Sequence, residues 1–232
     1  MPPEFDSYAR EYSELLRDPV RDRFATTPLF FHQRKWSVIR EFFDSMGRST
    51  REANWLDVGC GRGELLRLGQ SAFGRVAGCD LSQEMLKASA DLEVRLQMAP
   101  IELPFESETF DLVTAVCVYH HVGLPDRDAL TRDAFRVLRP GGVLCFIEHN
   151  PANPVTRRIV QRTPVDANAN LLPHSEARRL VCSAGFSCLD TRFFLYLPEI
   201  AFRGMPWLEA FLKHVPLGGQ YALFAGKNWM RR

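Results

Sequence analysis

Apolar residues along this chain follow two rhythms. Over residues 5–46 they recur at spacings of three and four, with Trp36, Ile39, Phe42, Phe43 and Met46 on one stripe, and Gly47 supplies a stop, so this region reads as helical. Beyond it, short apolar runs at 55–58, 75–80, 94–98, 110–116 and 143–147 read as strands. The run at 110–116 is nearly continuous, as suits a strand covered on both faces. Leu65, Leu66 and Leu68 suggest one intervening helix, Ser82 caps a second filled by Met85, Leu86 and Ala90, and a third spans 126–138, closed by Pro140-Gly141-Gly142. Strand and helix alternate, so an open, mostly parallel α/β sheet is expected. Residues 150–173, rich in Asn, Pro and Arg, read as a long loop. A helix over 174–184, a strand-like segment over 186–197, a helix over 206–215 and a last strand over 221–226 complete the pattern.

Composition narrows the class. The 232 residues are 46% hydrophobic and 25% charged, enough for one sizeable core and no case for disorder. A single domain over 1–232 is expected, divided into a helical cap at 1–50, a ligand-binding half at 51–150 and an acceptor-side half at 151–232. Lys plus Arg number 29 against 28 for Asp plus Glu, a net charge of +1, so no global field draws the chain to nucleic acid or an anionic membrane, and no Lys/Arg stripe suits a duplex. The start, Met1 to Asp6, lacks the basic and apolar regions of a signal peptide. No run approaches the roughly 18 apolar residues of a membrane span, so a cytoplasmic protein without stable membrane insertion is expected. The six cysteines, at 60, 79, 117, 145, 182 and 188, form no CxxC pair and suit buried reduced thiols. No acidic pair stands at metal-ligand spacing, so a metal-independent reaction is expected.

In an open parallel sheet the ligand lies beyond the carboxyl ends of the strands, which directs attention to the first strand-to-helix turn. Here it is Asp57-Val58-Gly59-Cys60-Gly61-Arg62-Gly63-Glu64. Its glycines stand at the first, third and fifth positions, not the first, third and sixth of a dinucleotide site, and Glu64 would repel phosphate. A ligand with cationic and neutral parts fits better. Asp57 can pair with an amine, and Asp80, at the tip of the second strand, can accept both hydroxyls of a ribose. The two acids describe an adenosine-type ligand without phosphates.

This constellation resembles the class I S-adenosylmethionine-dependent methyltransferases, in particular the small-molecule enzymes of methyltransferase type 11. The segments that carry the resemblance are WLDVGCGRGELL at 55–66, Asp80 in VAGCDLS, LPFESETFDLV at 103–113, VYHHV at 118–122 and FRVLRPGGVLCFIEHNP at 135–151. It implies a Rossmann-like, seven-stranded, mostly parallel sheet whose antiparallel last strand is 221–226, with an N-terminal helical lid. It implies S-adenosylmethionine as cofactor, with Gly59, Gly61 and Gly63 under its methionine part, Asp57 near its amino group and Asp80 on its ribose. Cys60 and Cys117 are placed in the same site. The family often has an Asp before LPF that contacts the adenine amine, where this chain has Ala99, which leaves adenine to backbone groups and to Leu81 and Met98.

Methyl transfer is an in-line displacement that depends on alignment, and an oxygen acceptor must also lose its proton, for which His is suited. His120 and His121, after the fourth strand, are the candidate general bases. Glu148, His149 and Asn150, ending the fifth, are candidate substrate contacts, together with His32 and Trp36 on a helical segment that includes Phe24, Phe30 and Phe31. The insertion at 198–219, with Phe202, Trp207 and Phe211, is a second candidate wall or a subunit contact. The expected acceptor is a small molecule, a hydroxyl of a sugar or secondary metabolite. C-methylation of a quinone-type lipid ring, or a non-catalytic cofactor-binding partner protein, are the alternatives. A monomer or homodimer fits either.

Overall fold

The computed structural model describes residues 4–228; residues 1–3 and 229–232, the ends of the domain expected over 1–232, lie outside the described residues. Seven strands form one sheet: β1 (Asn54–Val58), β2 (Arg75–Asp80), β3 (Glu93–Leu96), β4 (Phe110–Val116), β5 (Leu138–His149), β6 (Phe186–Phe194) and β7 (Gln220–Lys227), in the order β3-β2-β1-β4-β5-β7-β6. β1 to β5 pair in parallel, and β7 runs antiparallel to both β5 and β6, the expected antiparallel last strand. Helices cover both faces, so the central strands read as continuous apolar runs: Leu56, Leu112, Val113, Leu144 and Phe146 are fully buried.

The helical stretch expected over 5–46 divides into α1 (Glu4–Tyr8), α2 (Tyr12–Leu15), α3 (Pro19–Phe24) and α4 (Pro28–Ser45). The breaks follow from chemistry. Asp18 accepts from the backbone N–H groups of Val20 at 2.8 Å and Arg21 at 3.2 Å, and Pro19 and Pro28 sit where a missing N–H is harmless only at a helix start. The crossover helices are α5 (Glu64–Gly69), α6 (Gln83–Leu86) and α7 (Leu124–Val137), with Ser82 accepting from the Met85 N–H as expected of an N-cap. Pro140-Gly141-Gly142, expected to close α7, instead lies inside β5, where the β4 register shifts between Phe110 and Leu112 and an irregularity tolerates proline. The long loop at 150–173 contains α8 (Pro154–Val160), capped by the Asn153 side chain, and a 3-10 turn at Pro164–Asp166. α9 (His174–Ser183) precedes β6, and α10 (Glu199–Gly204) and α11 (Pro206–Leu212) form the insertion before β7.

That insertion is tied to the N-terminal helices by buried charge. Arg34 of α4 donates to Glu209 of α11 at 2.7 Å and stacks over Phe202 at 3.9 Å, while Glu209 also accepts from the Tyr196 and Leu197 N–H groups. Arg34→Ala strands a carboxylate that is 4% exposed. The expected result is a loss of about 3 kcal/mol of stability, read by urea denaturation; a loss below about 1 kcal/mol would contradict the assignment of this pair as a tie. Among the described residues no helix is long and apolar enough to cross a membrane.

Candidate active site

The chain order reverses between β1 and β4, and the glycine turn stands at that switch point. Gly59 has φ +66°, and a Cβ there would meet Val118 Cγ2 at 2.5 Å, so backbone and post-β4 segment touch with no room for a side chain. Gly61, also left-handed at φ +53°, borders open space. Asp57, at the end of β1, is 3% exposed and accepts from the Thr114 hydroxyl at 2.5 Å. Burial pushes its carboxyl up to about 7, against the opposing pulls of Thr114 and the Lys35 charge. Asp80 accepts from the Gly61 N–H at 2.8 Å on one oxygen and from the Ser82 N–H at 2.8 Å on the other. Those bonds fix its plane and leave a lone pair on each oxygen for a vicinal diol. A turn bordering open space, an under-compensated buried acid at one end and an oriented carboxylate at the other fit a nucleoside with a cationic tail.

The remaining cofactor candidates divide. Leu81 lies between Asp80 and the Ser82 cap. Cys60 packs inward: a Cβ on Gly78 would meet its sulfur at 2.6 Å, so the thiol lies over β2. Gly63 caps α5 at φ +77°. Ala99 pairs with Glu102 in an isolated bridge, and the Gln97 amide donates to its carbonyl. Met98 is 84% exposed, so its side chain lies on the surface. Cys117 follows β4 in a left-handed backbone, φ +58°. Its sulfur receives Lys35 Nζ at 3.5 Å and Gln220 Nε2 at 3.4 Å. Burial pushes that thiol up, but the charges of Lys35 and His149 outweigh it and bring it down to about 6. Gln220 Oε1 is buried without a partner.

Several candidate acceptor contacts are structural. Trp36 stacks on Trp55 at 5.8 Å and packs against Gly69 and Phe73, so it belongs to the core under α5 and not to the acceptor side. Glu148 is fully buried and accepts from the Val118 and Tyr119 N–H groups and from His120 Nδ1 at 2.5 Å, which leaves no face for a substrate. Asn150, also fully buried, donates to the Pro216 and Gly218 carbonyls and accepts from the Ala152 N–H, so it anchors the entry to β7. His32 stays beside Lys35 and Arg21; burial and those two charges push it down to about 3, which keeps it neutral.

The paired histidines differ. His120 is 1% exposed, with Nδ1 on Glu148 and Nε2 3.4 Å from Asp166 Oδ1. Burial would push it down, but the negative charge of Glu148, the contact with Asp166 and the hydrogen bond to Glu148 push it up to about 10. The two carboxylates thus favour the charged form of His120, which works against a role as base. His121 is more open, its Nε2 also 3.4 Å from Asp166 Oδ1 and its ring edge-on to Phe5 at 4.9 Å. His149 packs its ring 5.1 Å from His120.

Sequence reasoning missed Asp166, Lys35 and the N-terminal residues over the cleft. Asp6 accepts from the Ser82 hydroxyl at 2.5 Å and from the Glu84 N–H at 3.2 Å, which clips α1 to the start of α6. α2 packs on the turn that carries Asp166, and burial pushes the Tyr12 phenol well above its ordinary value, with the negative side of Cys117 and Asp166 adding to the effect.

Comparison with known proteins accords with this geometry. Residues 56–146 match the family described as a methyltransferase domain. The chain is 38% identical over 101 residues to the 27-O-demethylrifamycin SV methyltransferase of Amycolatopsis mediterranei, covering 39% of this chain and 36% of that protein. It is 32% identical over 114 residues to the demethylmenaquinone methyltransferase of Staphylococcus aureus, covering 45% of this chain and 46% of that one. The chain thus spans less than half the length of these relatives. In fold it is similar to a SAM dependent methyltransferase from Archaeoglobus fulgidus, with a TM-score of 0.63 at 18% identity over 84% of this chain and 94% of the other. Sheet order, glycine turn and the match over residues 56–146 identify that segment as a methyltransferase domain of the class I S-adenosylmethionine-dependent kind, whose cofactor is S-adenosylmethionine.

Proposed function

We propose that this chain transfers a methyl group from S-adenosylmethionine to a hydroxyl of a small molecule, of the sugar or secondary-metabolite class. The observation that carries this reading is the His121–Asp166 pair, a partly open imidazole backed by a carboxylate, set just past β4 beside the glycine turn. When bound, the cofactor supplies an electrophilic methyl on a sulfonium. Asp57 would hold its ammonium group, Lys35 its carboxylate and Asp80 its ribose, each a charge or hydrogen-bond match at the atom facing the cleft. The His121 imidazole takes the hydroxyl proton as the oxygen aligns with the methyl, while Asp166 orients the ring and balances the charge that forms. His120, already protonated between Glu148 and Asp166, acts as a fixed positive pivot and not as a base. α1 and α2 serve as the lid, and cofactor entry requires the Asp6 clip to open.

The similarity to the 27-O-demethylrifamycin SV methyltransferase supports the oxygen acceptor. A second reading, C-methylation of a quinone-type lipid ring, draws on the similarity to a demethylmenaquinone methyltransferase and on the exposed apolar side chains of α10 and α11, where Ile200 is 84%, Trp207 64% and Phe211 80% exposed. Methyl-labelled cofactor offered with pooled sugars, phenols and quinones separates the readings by the product formed. The expected result is an O-methyl product. In that assay His121→Ala lowers kcat by about a hundredfold with the KM for cofactor unchanged. A C-methylated ring favours the second reading, and unlabelled acceptors throughout would mark a non-catalytic protein.

A further inference from the structure

His120 and His121 leave β4 side by side, their ring centroids 4.1 Å apart, and the turn at Pro164–Asp166 brings one carboxylate oxygen against both. Asp166 Oδ1 stands 3.4 Å from His120 Nε2 and 3.4 Å from His121 Nε2, and the three donor atoms all lie within 4.8 Å of one another. Two contacts of that length are long for N–H···O hydrogen bonds, whose usual span ends near 3.2 Å. They match the spacing of neighbouring ligand atoms in a tetrahedral site, about 3.4 Å for metal–ligand bonds of about 2.1 Å. The surroundings complete the pattern. His120 gives its Nδ1 to Glu148 at 2.5 Å, the carboxylate–histidine arrangement that fixes a metal-binding imidazole and leaves Nε2 toward the ion. The segment that carries Asp166 is held in place by the Asn170 N–H on the His120 carbonyl at 2.8 Å.

We propose that His120 Nε2, His121 Nε2 and Asp166 Oδ1 bind one divalent transition-metal ion of the zinc class, with Glu148 behind His120 and at least one coordination position open toward the cleft. Two imidazoles and one carboxylate are the borderline donor set that selects such ions over magnesium or calcium. Three protein ligands leave a position for an exogenous oxygen. The open side is that of His121, whose side chain is 20% exposed against 1% for His120. On the proposed reading of the chain as a hydroxyl methyltransferase, that position takes the acceptor oxygen and makes it more acidic, and the proton of His120 Nε2 leaves to solvent when the ion enters. In the metal-free chain the hydroxyl proton goes to His121; in the metal-loaded chain His121 Nε2 is a ligand, and the proton of the ion-bound hydroxyl leaves to solvent. Its binding, unlike its use, does not depend on that reading.

The test is cobalt and zinc titration of the full chain after chelation and dialysis, scored by bound metal per protein and by the visible spectrum of the Co2+ form. The expected result is one equivalent, with d–d bands of a four- or five-coordinate nitrogen and oxygen site and without thiolate charge transfer, and an upward shift in Tm on loading. Asp166→Asn and His121→Ala, the two less buried ligands, should each weaken binding at least about tenfold. The spectral criterion separates this site from Cys182 and Cys188, whose sulfurs lie 3.6 Å apart. No bound ion, a thiolate spectrum, or binding indifferent to both variants would overturn the proposal. The wild-type spectrum decides alone should either variant fail to fold. Metal bound at this site with no methyl transfer to any pooled acceptor would leave the site standing and remove only the hydroxyl reading.

Discussion

Asp57→Asn is expected to weaken S-adenosylmethionine binding by about a hundredfold and, at pH 8, to raise the stability of the chain. Both effects come from one buried carboxyl. At 3% exposure, with the Thr114 hydroxyl as its hydrogen-bond donor, Asp57 is held at about 7 in the folded chain against an ordinary 3.8. The folded state therefore retains a proton that the unfolded state has lost between those values. Stability falls as pH rises from about 4 to 7, and the full penalty, on the order of 4 kcal/mol, is present above 7. Asparagine removes the penalty and keeps an oxygen for Thr114. It also removes the charge proposed to meet the cofactor's ammonium, a charge-assisted bond worth about 2 to 3 kcal/mol. For the wild-type chain the same titration sets the sign of the pH dependence of binding: affinity rises as pH increases through about 7 and Asp57 ionises. Isothermal titration calorimetry from pH 6 to 8.5 with thermal melts of both proteins reads each effect. Equal melting at pH 8 together with equal affinity would contradict the role given to this residue.

Gly59→Ala and Gly61→Ala should part company, although they stand two residues apart in one turn. Both positions are left-handed, which costs an alanine about 1 to 2 kcal/mol. At Gly59 the new methyl would also lie 2.5 Å from Val118 Cγ2. Val118 cannot retreat freely, because its N–H is bound to the buried Glu148 at 3.0 Å. Overpacking of this kind adds roughly 1 to 3 kcal/mol, so Gly59→Ala is expected to lose about 3 kcal/mol of stability and all measurable cofactor binding. At Gly61 the methyl meets nothing within 4 Å. Gly61→Ala is expected to fold with a loss of about 1 kcal/mol and to weaken cofactor binding, because the methyl projects into the open space proposed for the ligand. Matching melting temperatures for the two variants would contradict the packing difference.

The sheet was legible from sequence because parallel strands buried on both faces leave uninterrupted apolar runs, as at Phe110–Val116, and because an acid followed by three closely spaced glycines, as at 57–64, suits a ligand-bearing turn and little else. α8 and the turn at Pro164–Asp166 were not, because each is too short to show an apolar stripe; α8 is started instead by the Asn153 side-chain cap. Trp36 was misplaced for a related reason: an aromatic on a helical stripe has the same signature whether it faces a ligand or, as here, Trp55. Glu148 and Asn150 stand at a strand end like true site residues, yet their polar atoms serve the backbone of neighbouring segments. Asp166 carried no local signal, since its meaning arises only when the loop after β5 folds against the segment after β4. Lys35 did carry one: with Arg34 it is one of two adjacent cations between Phe31 and Val38 on the buried side of α4, where a charge is costly unless something meets it.

The proposed methyl transfer turns on where the reactive methyl lies relative to the groups beyond β4. An isotope-filtered NOE experiment on the full chain with S-adenosylmethionine labelled with carbon-13 at the methyl measures this directly. The expected result is cross-peaks from that methyl to the His121 ring and to Cys117 Hβ, with none to Trp36. A labelled methyl that contacts Trp36, or no residue at the ends of β1 and β4, would contradict it.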